Sequence, residues 1–187
     1  MSRSTHVAGT VCGAAHGVAT CDDLCAVQIL RDSDGGGTWA GVIAGIDHVV
    51  ADCEGAVAGG AASGCVANLS MGGARKDTVD AAVADAAAAG VVMVVAAGNH
   101  NADACEYSPA RSTHAITVGS TTRRDRYSWF SNYGACVDLY APGSDVVSAG
   151  TTSPSVARSL SGTSMASPRE SRSVRRWRLV DCPLPLL

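Results

Sequence analysis

Three polar side chains in this 187-residue chain are of types that can share one reaction. Ser164 sits in "SGTSMASP", His6 in "STHVAGTV", and Asn99 closes the run "VVMVVAAGN". A hydroxyl, an imidazole and a carboxamide are the nucleophile, proton acceptor and oxyanion donor of acyl transfer. Each also has an ordinary reading. A serine ahead of a helix caps it, a lone histidine is commonly a core or surface group, and an asparagine after a strand suits a turn. Ser164 lies between Gly162 and Met165-Ala166, so small neighbours leave room for a substrate carbonyl. Ala166 breaks the G-x-S-x-G elbow and no histidine follows Ser164, which excludes the Ser–Asp–His order of α/β-hydrolases.

These residues need elements to bring them together. "LCAVQIL" (24–30), "CVANLSM" (65–71) and "VVMVVAAG" (91–98) read as buried strands, and "AITVG" and "VDLYAPG" as shorter ones. Residues of "TWAGVIAGIDHVVADC" recur at helical spacing through Trp39, Val42, Ile43, Ile46, Val49 and Val50. "DTVDAAVADAAAAG" is a helix capped near Asp77 and stopped at Gly90. Val7, Ala8, Thr10 and Val11 suit a helix packed on a sheet. Alternation of strand and helix predicts an α/β fold with three layers, helix–sheet–helix, and a mostly parallel sheet. Ligands in such folds bind beyond the carboxyl ends of the strands, where "SMGG" and "AAGN" lie.

Composition bounds the rest. Hydrophobic residues make up 47% and charged residues 17%, which is globular, and aromatics are only 4%. A net charge of −3 gives no global case for a nucleic-acid partner. No apolar run reaches the roughly 18 residues of a membrane span, and "MSRSTHVAGT" lacks a signal-peptide core. No nucleic acid and no membrane are therefore expected as partners. Cys21-x3-Cys25 is the nearest approach to zinc spacing and has no second close pair. Disulfides of an exported protein and buried free thiols both remain open for the eight cysteines.

"THVAGTV", "SMGG", "VVAAGN", "YSPA", "FSNYG", "APG" and "SGTSMASP" occur in the order found in subtilisin-like serine proteases. Over residues 5–168 the chain resembles that family, and within it the proteinase K branch. The resemblance implies a serine endopeptidase acting through an acyl-enzyme. His6 would be the general base, Ser164 the nucleophile, and Asn99 the oxyanion donor beside the Ser164 backbone N–H. Polypeptide substrates would add as a strand between Gly35-Gly36-Gly37 and Ser70-Met71-Gly72. Ala96-Ala97-Gly98 would wall the pocket for the residue before the cleaved bond. No cofactor for catalysis is implied. A structural calcium is, held by Asp138 and the carbonyls of Thr113 and Ala115. The resemblance further implies a Cys105–Cys136 disulfide, a secreted location and a monomer; Cys53 and Cys65 flank a glycine-rich loop and are a second candidate pair.

Two departures stand out. The family's catalytic aspartate lies upstream of the histidine, and none of Met1 to Thr5 is aspartate. Relatives continue from the serine into a long apolar helix, whereas Arg169, Arg172, Arg175, Arg176 and Arg178 follow here. Unpaired guanidinium groups are costly to bury. The expectation is a partial peptidase unit at 1–168, truncated at both ends, with an aberrant Arg/Pro/Leu-rich tail at 169–187, impaired chemistry and marginal stability.

Overall fold

In Val91–Ala96 every residue but Val92 is buried, and Cys65–Leu69 is buried throughout. Strands like these need cover on both faces. The computed structural model describes residues 2–19, 23–31, 36–62, 64–151, 156–170 and 176–180. Its elements are α1 (Ser2–Cys12), β1 (Asp23–Val27), α2 (Trp39–Ala58), β2 (Cys65–Leu69), β3 (Gly73–Ala74), α3 (Asp77–Ala88), β4 (Val91–Ala96), β5 (Tyr107–Ser108), β6 (Ala115–Thr121), β7 (Leu139–Pro142), β8 (Val146–Ala149), β9 (Ala157–Leu160), α4 (Thr163–Glu170) and β10 (Arg176–Val180). Six strands form one sheet in the order β1-β10-β2-β4-β6-β7, with every neighbouring pair parallel. Two small antiparallel ladders, β3–β5 and β8–β9, lie outside it.

Alternation along the strands builds two cores. Ala67, Leu69, Met93 and Val95 face α2 and α3, packing with Val42, Ile46, Val49, Val79 and Val83. Val66, Val94 and Val118 face the other way, onto Val7 and Val11 of α1 and Met165 and Ala166 of α4. The α/β three-layer expectation holds. Thr38 starts α2, its hydroxyl accepting the Gly41 N–H at 3.1 Å. Cys53–Cys65 ties α2 to β2, and Cys105–Cys136 ties the loop before β5 to the segment before β7. Cys12 is also disulfide-bonded.

α4 is only eight residues long and contains Pro168. Residues 176–180 then form β10, a parallel strand set between β1 and β2. A buried parallel sheet leaves no backbone group unpaired only if each inner slot is filled, and this segment fills one.

Candidate active site

In a parallel sheet all carboxyl ends share one edge. β2 runs there into Ser70, β4 into Asn99, and α4 begins there with Thr163 and Ser164. These residues line one cleft of about 410 Å³. Gly36, Gly37, Met71, Gly72, Ala96, Ala97 and Gly98 line it too, with Trp39, His100 and Tyr107. Gly35 lies outside the described residues. Gly98 has φ +105, and a Cβ there would collide with Asn132 Nδ2, so only glycine serves at this wall.

Ser164 is 6% exposed. Its Oγ donates to the Ser70 carbonyl at 2.8 Å. The Ser70 hydroxyl in turn donates to the Ser164 carbonyl at 3.0 Å and accepts from Asn68 Nδ2 at 2.8 Å. This reciprocal pair seats the start of α4 on the end of β2. Thr163 does the same for Asn99. The Thr163 N–H donates to Asn99 Oδ1 at 2.8 Å and its hydroxyl donates to the same oxygen at 3.0 Å. Both are donors, so the carbonyl end of the amide must face them. Asn99 Nδ2 is left as the uncommitted donor. Thr163 Oγ1 also accepts the Gly98 N–H at 3.1 Å. The first N–H groups of a helix have no intrahelical partner, so the Ser164 N–H and Asn99 Nδ2 are two donors at the same edge.

His6 is not among the residues lining this cleft. It is fully buried, and its Nε2 lies 2.9 Å from the Val146 carbonyl and 3.1 Å from the Arg158 carbonyl. Carbonyls only accept, so Nε2 carries the proton and Nδ1 is the lone-pair nitrogen. Nδ1 is buried with no hydrogen-bond partner. The ring therefore pins α1 to the β8–β9 hairpin. The hydroxyls of Thr10 and Ser148 both donate to the His6 carbonyl at 2.9 Å. Burial holds the imidazole below its ordinary pKa against the pull of the two carbonyls, with His16 and Arg169 adding to the lowering. The structure does not bring the expected base, His6, to Ser164: Nε2 is turned to the two carbonyls of the β8–β9 hairpin, and Nδ1 is buried without a partner among the described residues.

Asp138 Oδ2 accepts the Thr117 N–H at 2.7 Å, which leaves Oδ1 for any cation. Among the described residues no group of three or more His, Cys, Asp or Glu side chains is placed to hold a metal. One carboxylate oxygen with the carbonyls of Thr113 and Ala115 is a hard-oxygen set that suits calcium only if water completes the shell. Sequence reasoning missed Thr163 and Tyr107. The threonine's signal was its place one residue before the serine.

A family profile described as Subtilase family matches residues 4–174. The chain is 49% identical over 166 residues to "Extracellular serine proteinase" of Thermus sp. (strain Rt41A), covering 89% of this chain and 38% of that protein. It is 48% identical to "Alkaline serine exoprotease A" of Vibrio alginolyticus, covering 89% and 29%, and 46% identical to "Subtilisin-like serine protease Rho m 2.0101" of Rhodotorula mucilaginosa, covering 89% and 48%. The chain thus spans less than half the length of these relatives. Among solved structures, "Crystal structure of a cold adapted subtilisin-like serine proteinase" superposes with a TM-score of 0.80 at 46% identity, covering 90% of this chain and 57% of that one.

Proposed function

The chain belongs to the subtilase family, and from that premise we propose that its cleft grips a polypeptide and presents the peptide bond to Ser164 for serine endopeptidase chemistry. The observation that carries this reading is the convergence of Ser164, Asn99 and three backbone stretches on one cleft. Ser164 Oγ attacks the carbonyl carbon, and the oxygen that becomes negative is met by the Ser164 N–H and Asn99 Nδ2. Exposed backbone at Gly36-Gly37 and Ser70-Met71-Gly72 pairs with the substrate as an added strand, which explains tolerance of many sequences. Ala96-Ala97-Gly98 leave space for a large apolar or aromatic side chain before the cleaved bond.

The proton of Ser164 needs a base within hydrogen-bond reach. Among the described residues the partner of its Oγ is the Ser70 carbonyl, which is no base. A second reading, a peptide-binding module without catalysis, is favoured by the same resting bond of Ser164. The Cys53–Cys65 and Cys105–Cys136 disulfides fit an exported protein. Asp138 Oδ1 with the Thr113 and Ala115 carbonyls would hold a calcium, whose part is structural.

The test is a fluorophosphonate probe beside a chromogenic peptide with an aromatic residue before the scissile amide. Slow labelling that disappears in Ser164→Ala, with peptide hydrolysis, supports the endopeptidase. Saturable peptide binding with no labelling selects the second reading. Neither binding nor labelling sinks both.

A further inference from the structure

Beyond β6 the chain folds back sharply. The Thr122 N–H donates to the Arg126 carbonyl at 2.8 Å, the Asp125 N–H donates to the Thr122 carbonyl at 3.1 Å, and Asp125 takes φ +54. Thr121 and Tyr127 bridge antiparallel, and the Ser128 N–H donates to the Ser120 carbonyl at 2.9 Å. The tip so formed carries Arg123, Arg124 and Arg126, all exposed. Among the described residues none of the three is ion-paired. They stand on a chain whose net charge is −3, so the cluster is local.

Exposure then alternates down the returning arm. Tyr127 is 73% and Trp129 85% exposed, while Ser128 and Phe130 are buried. The inward side is fixed: Ser128 Oγ lies 2.7 Å from the hydroxyls of both Ser120 and Ser144, and Ser131 Oγ accepts the Ser120 N–H at 2.9 Å. The outward aromatics are therefore held out by an anchored backbone. The same arm is tied to the cleft. Asn132 Oδ1 accepts the His100 N–H at 2.9 Å, and Asn132 Nδ2 donates to the Ala97 carbonyl at 2.9 Å.

We infer that this basic, aromatic-flanked tip is a docking surface for an anionic phospholipid bilayer. Unpaired arginines are drawn to an anionic leaflet, and indole and phenol rings settle at headgroup depth. The clefts found among the described residues lie elsewhere, and a protruding tip lacks the groove that tracks a single-stranded nucleic acid. Docking here departs from the expectation of no membrane partner, which rested on the lack of a spanning segment. It does not depend on the reading of Ser164, and it would hold the cleft beside polypeptides at a lipid surface.

The experiment is co-sedimentation of the 187-residue protein with vesicles of phosphatidylcholine containing phosphatidylserine, at low salt. Partition is expected onto these vesicles and not onto pure phosphatidylcholine. It falls about tenfold or more in the triple variant Arg123→Gln/Arg124→Gln/Arg126→Gln, and the blue shift of indole emission on binding is lost in Trp129→Phe. No partition, or equal partition of the triple variant, overturns the inference. So does loss of partition only when Arg172, Arg175, Arg176 and Arg178 become glutamine, since the tail would then be the carrier. Retention on an anionic polysaccharide without vesicle binding overturns the lipid assignment.

Discussion

Two corners of the molecule hold polar side chains singled out by type and context, and they are built oppositely. At the α1–β8/β9 corner His6 is sealed and its ring proton is shared by two carbonyls. At the Asn99–Thr163–Ser164 corner one end of the Asn99 amide is fixed and the other is left over: Oδ1 is clamped by Thr163 while, among the described residues, Nδ2 is uncommitted. A side chain sealed in the fold, with its one ring proton shared by two carbonyls, acts on the fold and not on a ligand. A side chain held by half its bonds has the other half for a ligand. The contrast teaches that a reactive residue type signals chemistry only when some of its valence faces open space.

Substitutions test this division. Asn99→Ala is expected to slow phosphonylation of Ser164 by about 10² to 10³-fold, the order seen when serine proteases lose an oxyanion donor, with the unfolding midpoint nearly unmoved. An unchanged labelling rate would remove Asn99 from the chemistry. His6→Ala should do the reverse, costing about 2–4 kcal/mol in urea unfolding through the cavity and the two orphaned carbonyls. Any remaining folded protein should bind peptide as before; loss of binding with normal stability would break the comparison. Thr163→Val keeps the shape but removes the hydroxyl that steadies Asn99. A drop of about tenfold in labelling is expected, without the full effect of Asn99→Ala.

Smaller effects follow from charge. Folding depresses the His6 pKa, so the unfolded chain binds the proton first as the solution is acidified. The stability this contributes is fully present above the ordinary imidazole value near 6.5 and is lost as pH falls from there toward the folded value. Thermal midpoints from pH 8 to 5 should decline across that window by a few degrees, and His6→Gln should flatten the decline. A slope unaltered by His6→Gln would assign it elsewhere. Least of all, millimolar calcium should raise the midpoint slightly in the parent chain and not in Asp138→Asn; equal shifts in both would dismiss the site.

Much of the scaffold was legible because it is local. The apolar run 91–96, the spacing of Val42, Ile46 and Val49, and the stop of α3 before Gly90 each fix an element from its own residues, whereas the cap expected near Asp77 is not formed: Lys76 precedes α3 and makes no side-chain capping bond. The cleft at the carboxyl edge of the sheet was legible because strand ends and short glycine-flanked stretches mark it. The fate of His6 was not. Its partners lie 140 and 152 residues away, in a hairpin whose strands are only four residues each. A motif names the histidine, but the face of α1 it occupies is decided by what packs against that helix. Arginine in the tail led away from any element, yet backbone pairing places 176–180 in the sheet.

That placement bears on how the chain assembles during synthesis. Among the described residues β10 follows every other strand in the chain, yet it is seated between β1 and β2, two of the first. Until residues 176–180 emerge, one edge of β2 lacks the neighbour that it has in the folded sheet. The nascent polypeptide carries that unpaired edge past the synthesis of β4, β6 and β7, available for association with other chains.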